Sequence, residues 1–108
     1  MIIKNKNIFS NIPKSLPDEI FEDVLSTEKF RVERIISQGH TTPKGKLYDQ
    51  NENEFVMVLK GNATLSFEKG NQIIKMKEGD YINIPAHVKH RVEKTDDKGE
   101  TIWLAIFY

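Results

Sequence analysis

The sequence predicts an all-β protein, and three observations lead to that prediction. Short segments rich in β-branched and aromatic residues recur from residue 30 to residue 108. Glycine, asparagine and aspartate separate these segments at short intervals, as expected for successive hairpins. The intervals leave no room for crossover helices, which favours a β-sandwich or β-barrel over a parallel α/β sheet.

The first 29 residues are predicted to form an arm with one short helix, ahead of a barrel over residues 30–108. Ser15 suits the N-cap of that helix, and Pro17 suits its first turn. The apolar residues that follow would lie on one helical stripe: Ile20, Phe21, Val24 and Leu25. The helix is therefore expected from Leu16 to about Ser26.

Eight strand-like segments follow the arm, and each is bounded by turn-forming residues. A long turn-rich stretch, Ser37–Gly45, separates the first two, and shorter turns separate the others. The predicted strands are Phe30–Ile36, Lys46–Gln50, Glu54–Lys60, Ala63–Glu68, Gln72–Lys77, Tyr81–Ile84, His90–Glu93 and Thr101–Tyr108.

Composition narrows the class of protein. A chain of 108 residues with 38% hydrophobic and 30% charged residues suits one globular domain. Sixteen basic and sixteen acidic residues balance, which argues against a nucleic-acid or membrane-surface partner. Without cysteine there are no disulfides or thiolate ligands, and any metal needs nitrogen or oxygen ligands. The longest apolar run, Ile102–Tyr108, is far below the roughly 20 residues of a membrane span. A soluble, cytoplasmic protein is expected.

Two stretches carry a recognisable spacing of functional residues. In the first, six residues separate Glu54 from Gly61. In the second, five residues lie between Gly79 and Pro85, and four between Pro85 and His90. Together they resemble the two sequence motifs of the cupin family, of which the second is matched more specifically. The resemblance implies a double-stranded β-helix, or jelly-roll barrel, whose interior holds one divalent metal in many relatives.

The resemblance places the family's metal ligands on particular residues of this chain. His90 falls on the histidine of the second motif and Glu54 on the glutamate of the first. The paired histidines of the first motif become Tyr48 and Gln50 with the shorter family spacing. With the longer spacing they become Leu47 and Asp49. Side chains two apart on a strand share a face, and a phenol and an amide beside Glu54 are more plausible than a buried leucine, which favours the shorter spacing.

The resulting site hypothesis has four residues. Glu54, His90, Gln50 and Tyr48 are the candidate metal ligands, for Zn, Fe, Mn or Ni, and Tyr48 and His90 are the candidate catalytic groups. The set is weaker than three histidines, and each residue could instead close an internal polar network or, for Glu54, lie solvated at a strand end. Two further histidines are secondary candidates: His40 as an additional ligand and His87 as a residue at the pocket mouth.

Three functions are compatible with such a site. The first is a metal-dependent enzyme that acts on a small polar metabolite, as an oxygenase, isomerase or lyase. The second is a non-catalytic, metal-free module that binds a small ligand by hydrogen bonds. The third, the sensing half of a transcription regulator, lacks a helix-turn-helix pattern or a basic face to support it.

Apolar residues on both faces of the last strand predict a homodimer. In Thr101–Tyr108 and in Phe55–Leu59 neither alternating set of side chains is polar. A barrel strand of this kind needs cover on its outer side, from the N-terminal arm or from a second subunit. Phe21 and Leu25 of the arm are expected to contribute to that cover.

Overall fold

The computed structural model describes residues 1–108 and contains eight antiparallel strands. A single-turn 3₁₀ helix, Lys69–Asn71, lies in the turn after the fourth strand. None of the chain is coiled into a helix with the length and apolarity needed to cross a bilayer. The strands are β1 (Ile20–Ser26), β2 (Arg31–Ser37), β3 (Glu54–Lys60), β4 (Asn62–Phe67), β5 (Gln72–Lys77), β6 (Tyr81–Ile84), β7 (His90–Thr95) and β8 (Thr101–Phe107).

The strands form two sheets, as in a jelly roll. The larger sheet has the order β1-β2-β8-β3-β6, and the smaller has the order β5-β4-β7. All pairings are antiparallel, and strands distant in the chain are neighbours, as β2 and β8 are. The all-β prediction and the jelly-roll architecture are therefore confirmed.

The core lies between the two sheets, because one face of each inner strand is apolar. In β3, the buried residues Glu54, Val56 and Val58 alternate with half-buried ones. The buried apolar core comprises Ile35, Val56, Val58, Ala63, Leu65, Phe67, Met76, Ile84, Trp103, Ala105 and Phe107. Of the β3 residues that point inward, Glu54 alone is charged, and it lies at the strand's first position.

The helix predicted in the N-terminal arm is wrong, because the residues from Ile20 to Ser26 form β1 at the edge of the larger sheet. Their apolar spacing fitted a helix, but β1 contains a register irregularity between Asp23 and Leu25 that changes the phase of its side chains. A helix of about ten residues is also marginal without tertiary support, whereas pairing with β2 satisfies the backbone along the segment.

The segment before β1 is held against the outer side of the larger sheet by Arg34. Arg34 is buried, and its guanidinium contacts Glu22 Oε1 from Nε at 2.9 Å and from Nη2 at 2.7 Å. Its Nη1 also donates to the carbonyls of Ile8 at 2.9 Å and Ser10 at 2.6 Å. Since a buried guanidinium needs several acceptors, these bonds fix the early chain beside β2.

The strand predicted over Lys46–Gln50 is reduced to a single bridge. Tyr48 pairs with His90 through hydrogen bonds in both directions, from Tyr48 N at 2.7 Å and from His90 N at 3.1 Å. The chain before it turns away from the sheet, since Lys46 N donates to Pro43 O and Gly45 has a φ of 81°. Only Tyr48 therefore continues the smaller sheet beyond β7.

Candidate functional site

A cavity of about 270 Å³ lies between the sheets at the end where β3 and β7 begin. Most of its wall is apolar, with a small number of polar groups among the lining residues, as in many small-molecule sites. Its lining residues are Glu19, Phe21, Arg31, Glu33, Ile35, Tyr48, Gln50, Glu54, Val56, Leu65, Ile84, His90, Val92, Trp103 and Phe107. All four residues of the sequence-based site hypothesis line this cavity.

Glu54 and His90 approach each other from opposite sheets. Glu54 is paired with Ile84 of β6 and Phe107 of β8, and His90 is paired with Phe67 of β4. Only 8% of Glu54 and 5% of His90 is exposed. Glu54 Oε1 lies 3.8 Å from His90 Nε2, beyond hydrogen-bonding distance. A single hydroxyl oxygen about 2.8 Å from each atom could therefore contact both groups.

The His90 ring is held by one backbone bond and two aromatic neighbours. Its Nδ1 lies 2.8 Å from the Val88 carbonyl, which can only accept, so Nδ1 carries the proton and Nε2 presents a lone pair to the cavity. Tyr48 stacks on the ring with centroids 5.4 Å apart, and Phe67 lies at 5.9 Å. Burial lowers the pKa of His90, although the bond to Val88 acts in the opposite direction. His90 is therefore a neutral acceptor near pH 7.

The Glu54 carboxyl has an unusual protonation equilibrium. Burial, together with the negative charge of Glu33, raises its pKa from 4.5 to about 7. A hydrogen bond from Gln50 and the charge of Arg31 act in the opposite direction but are outweighed. At neutral pH a large share of Glu54 is thus protonated and can donate a hydrogen bond, beside an imidazole nitrogen that accepts one.

Tyr48 and Gln50 add two further polar groups to the lining of the cavity. Burial raises the pKa of Tyr48, and the charges of Glu19 and Glu54 add to the effect, so the phenol stays protonated as a donor. The backbone carbonyl of Gln50 accepts a hydrogen bond from His87 N at 2.8 Å, which holds the segment after Tyr48 against the turn before β7. The structure thus brings the four residues together, although Tyr48 and Gln50 lie outside regular strands.

Three charged residues of the cavity were missed by the sequence reasoning. Glu33 and Arg31 lie on the inward face of β2, in alternation with Ile35, and Glu19 lies just before β1. The alternation of Arg31, Glu33 and Ile35 was a usable signal, because side chains two apart face the same way. Glu19 gave no such signal, since the segment around it was expected to be helical.

The other two histidines lie outside the cavity. His40 Nδ1 accepts from Gln38 N at 2.9 Å, and its Nε2 is 3.1 Å from the Pro17 carbonyl, so both ring nitrogens are engaged. His87 lies in an exposed turn with a φ of 64°, and its Nδ1 is 2.9 Å from Asp49 Oδ1. Neither histidine is among the residues that line the cavity.

The residues present fit a divalent ion only in part. His90 Nε2 and a Glu54 oxygen converge, and the bond of Nδ1 to Val88 is the arrangement typical of a ligating histidine. No group of three or more His, Cys, Asp or Glu side chains is arranged to hold a metal. Gln50 and Tyr48 would have to supply further donors, so this set suits a weakly held ion.

A comparison with functionally curated proteins finds no match. Solved structures with the same architecture are found. Among solved structures, a proposed mannose-6-phosphate isomerase from Ralstonia eutropha JMP134 is 40% identical, with a TM-score of 0.93 and coverage of 97% of each chain. An RmlC-like cupin protein from Desulfovibrio desulfuricans is 18% identical, with a TM-score of 0.73, and the match covers 98% of this chain and 97% of that one.

A solved enzyme structure is also similar, at lower sequence identity. Hydroxypropylphosphonic acid epoxidase from S. wedmorenis is 15% identical, with a TM-score of 0.69, and the match covers 83% of this chain and 50% of that one. At this identity the likeness shows the fold alone. The cupin domain family's model matches residues 34–107, most of the chain, in agreement with the two motifs and the two-sheet barrel. The chain belongs to the cupin family.

Proposed function

We propose that the cavity binds a small polar metabolite and that Glu54 and His90 transfer protons on it, in an isomerase-type reaction. The observation that supports this most directly is the pairing of a carboxyl whose pKa is about 7 with an unprotonated imidazole nitrogen 3.8 Å away. Environments that separate the protonation states of two neighbouring groups are characteristic of acid–base sites.

The proposed reaction moves a carbonyl group to the adjacent carbon of a hydroxycarbonyl compound. His90 Nε2 removes the proton from the hydroxyl-bearing carbon, while protonated Glu54 gives its proton to the carbonyl oxygen, which yields an enediol. Return of the His90 proton to the former carbonyl carbon, and of a hydroxyl proton to Glu54, gives the isomer and restores both groups. Tyr48 donates a hydrogen bond that orients the substrate.

The relative from Ralstonia eutropha adds support for this reaction type. It is described as a proposed isomerase, and it is 40% identical over 97% of both chains. That description concerns the relative, and the reaction class is carried to this chain as a proposal. Fold alone would not favour one reaction, because cupin barrels host many.

Incorporation of deuterium tests the proposal. The protein is incubated in D₂O with free aldoses and ketoses of three to six carbons, and solvent deuterium at the carbon next to the carbonyl is measured by NMR. We expect incorporation with the wild type and a loss of about 100-fold or more in Glu54→Gln and in His90→Asn. His87→Asn is the matched control, because it removes an exposed histidine and asparagine tolerates the positive φ there. Binding without any exchange would favour the non-catalytic binding module instead.

A metal-assisted version of the site is the second candidate function, and the free Nε2 of His90 favours it. Glu54, His90, Gln50 and Tyr48 would hold Zn, Fe, Mn or Ni, and the ion would polarise a substrate oxygen when bound. Metal content after purification without added metal separates the two versions. Near-stoichiometric metal that is lost in both Glu54→Ala and His90→Ala supports the second; exchange activity that persists in a chelator supports the first.

The setting of the protein is proposed on similar grounds. The absence of cysteine suits a reducing cytoplasm. The balanced charge suits a small-molecule partner better than nucleic acid or a membrane surface. A second copy of the chain is the proposed macromolecular partner, and the exposed apolar edge at β1 supports it.

A further inference from the structure

The charged groups around the cavity are predominantly negative. Two carboxylates line it, from Glu19 and Glu33, together with the carboxyl of Glu54, against a single guanidinium from Arg31. Glu19 accepts a hydrogen bond from the Ser37 hydroxyl, a neutral partner that leaves its charge uncompensated.

Arg31, the only cation of the lining, is already engaged. Its Nε lies 3.0 Å from Glu33 Oε2, and its Nη1 lies 2.6 Å from Glu52 Oε1. The guanidinium also lies over the Phe107 ring, 4.2 Å from its centroid. Two carboxylates already neutralise the charge of this guanidinium, so an anionic ligand would have to compete with them for it.

We propose that the site selects an uncharged polyhydroxy or hydroxycarbonyl molecule and excludes the corresponding phosphate esters, a refinement that rests on the proposed function. A phosphate dianion would lose its hydration in this cavity without gaining a free cation. An uncharged sugar instead meets hydrogen-bonding groups that suit its hydroxyl and carbonyl oxygens, on Gln50, Tyr48 and Glu54. Specificity then comes from repulsion of the wrong ligand as well as attraction of the right one.

The size of the cavity is consistent with this class. A volume of about 270 Å³ corresponds to roughly nine water molecules at their share of the liquid. That space suits a molecule of roughly ten non-hydrogen atoms, such as a free monosaccharide. The selection is the opposite of what the name of the Ralstonia eutropha relative suggests for that protein, so the two chains are expected to differ in substrate.

Calorimetric titration at pH 7.5 tests the inference. The wild type is titrated with free aldoses and ketoses of three to six carbons, with the phosphate ester of each, including mannose 6-phosphate, and with inorganic phosphate. We expect at least one free sugar to bind and its ester to bind at least about tenfold more weakly. NMR shifts of residues next to Glu54 and His90 show whether a ligand occupies the cavity.

Two variants test whether the preference for the uncharged ligand depends on the charges of the lining. Glu33→Gln removes a carboxylate from the lining and frees Nε of Arg31. The ratio of the affinity for the free sugar to the affinity for its ester should therefore fall by about tenfold. Arg31→Gln should increase the same affinity ratio, because it removes the positive charge from the lining. Glu68→Gln is the control, because it removes the same charge from an exposed position facing Lys89 at 3.9 Å, and should leave the ratio unchanged.

The outcomes separate this inference from the proposed function. An ester that binds the wild type as tightly as its free sugar, or more tightly, overturns the inference and leaves the proposed function standing. No change of the sugar-to-ester ratio in Glu33→Gln, with the fold intact by circular dichroism, also overturns it. If neither class shifts the cavity resonances, the proposed function fails and the inference fails with it.

Discussion

Glu54 begins a strand whose following residues are apolar, and the fold carries its carboxyl into the cavity with them. The energetic consequence follows from the shift of its pKa from 4.5 to about 7. Below pH 4.5 the carboxyl is neutral in the folded and unfolded states alike. Between pH 4.5 and 7 the unfolded chain ionises first, so the native state binds more protons and loses stability as the pH rises.

Replacement of Glu54 by glutamine should expose this dependence. Glutamine keeps the shape and does not ionise, so the stability of Glu54→Gln relative to the wild type should rise by about 2–3 kcal/mol between pH 5 and pH 8. Urea unfolding at the two pH values measures the change. Glu68→Gln at the surface should show no comparable trend, and a pH-independent difference for Glu54→Gln would mean that the carboxyl is solvated.

The same two groups set the pH dependence of the proposed reaction. His90 must be unprotonated, so the exchange rate should rise as the pH increases through its lowered pKa, below 6.5. Glu54 must be protonated, so the rate should fall as the pH passes about 7. Deuterium incorporation measured from pH 5 to pH 9 should therefore give a bell-shaped profile. A rate that keeps rising above pH 8 would contradict the acid role of Glu54.

At the scale of elements, the tight connection between β3 and β4, which joins the two sheets, depends on Gly61. Its φ is 84°, and a Cβ added there would lie 2.7 Å from Thr101 Oγ1 and 3.0 Å from backbone atoms of Glu100 and Thr101. Only glycine fits both the left-handed conformation and the close approach of β8. Gly70, with a φ of 80° and open space around it, has the first constraint without the second.

Alanine substitutions at the two glycines should therefore differ. Gly70→Ala should cost about 1 kcal/mol, the usual penalty for a side chain in the left-handed region. Gly61→Ala carries the same penalty and also displaces backbone, so we expect about 2–4 kcal/mol. Thermal and urea unfolding of both variants checks the difference. Equal losses would show that β8 can move away from the β3–β4 connection at little cost.

The first strand shows why local pattern alone misassigned an element. Ile20, Phe21, Val24 and Leu25 satisfy helical spacing, and the register irregularity after Asp23 lets the same residues serve in a strand. The ion pair between Glu22 and Arg34 joins β1 to β2 on the outer side. Tertiary pairing therefore overrode a local preference that was weak from the start.

At the scale of the whole molecule, β1 leaves one edge of the larger sheet unpaired. Phe21, Val24 and Leu25 are each more than half exposed there, from 51% to 54%. An edge strand that presents apolar side chains is a typical contact surface for a second chain. We therefore propose that a homodimer forms through this edge.

Light scattering coupled to size exclusion measures the association. The wild type should elute as a dimer of 12.5 kDa chains at micromolar concentration. Leu25→Lys should weaken the dimer by about tenfold or more, because it places a charge in the apolar contact. Ile73→Lys is the control, since Ile73 is 65% exposed on β5, at an edge of the other sheet. A wild-type monomer at these concentrations would refute the dimer.

The sequence by itself determined the fold class and most strand positions, and it indicated two residues that line the cavity. Alternating apolar residues and glycine-containing turns specify strands locally, and the motif spacing indicated Glu54 and His90 without any knowledge of the sheets. Only the tertiary structure decided that Ile20–Ser26 is a strand, that Glu19 lines the cavity, and that the pKa of Glu54 is about 7. Strand pairing, burial and the influence of neighbouring charges depend on residues far apart in the chain, so the local sequence pattern does not predict them.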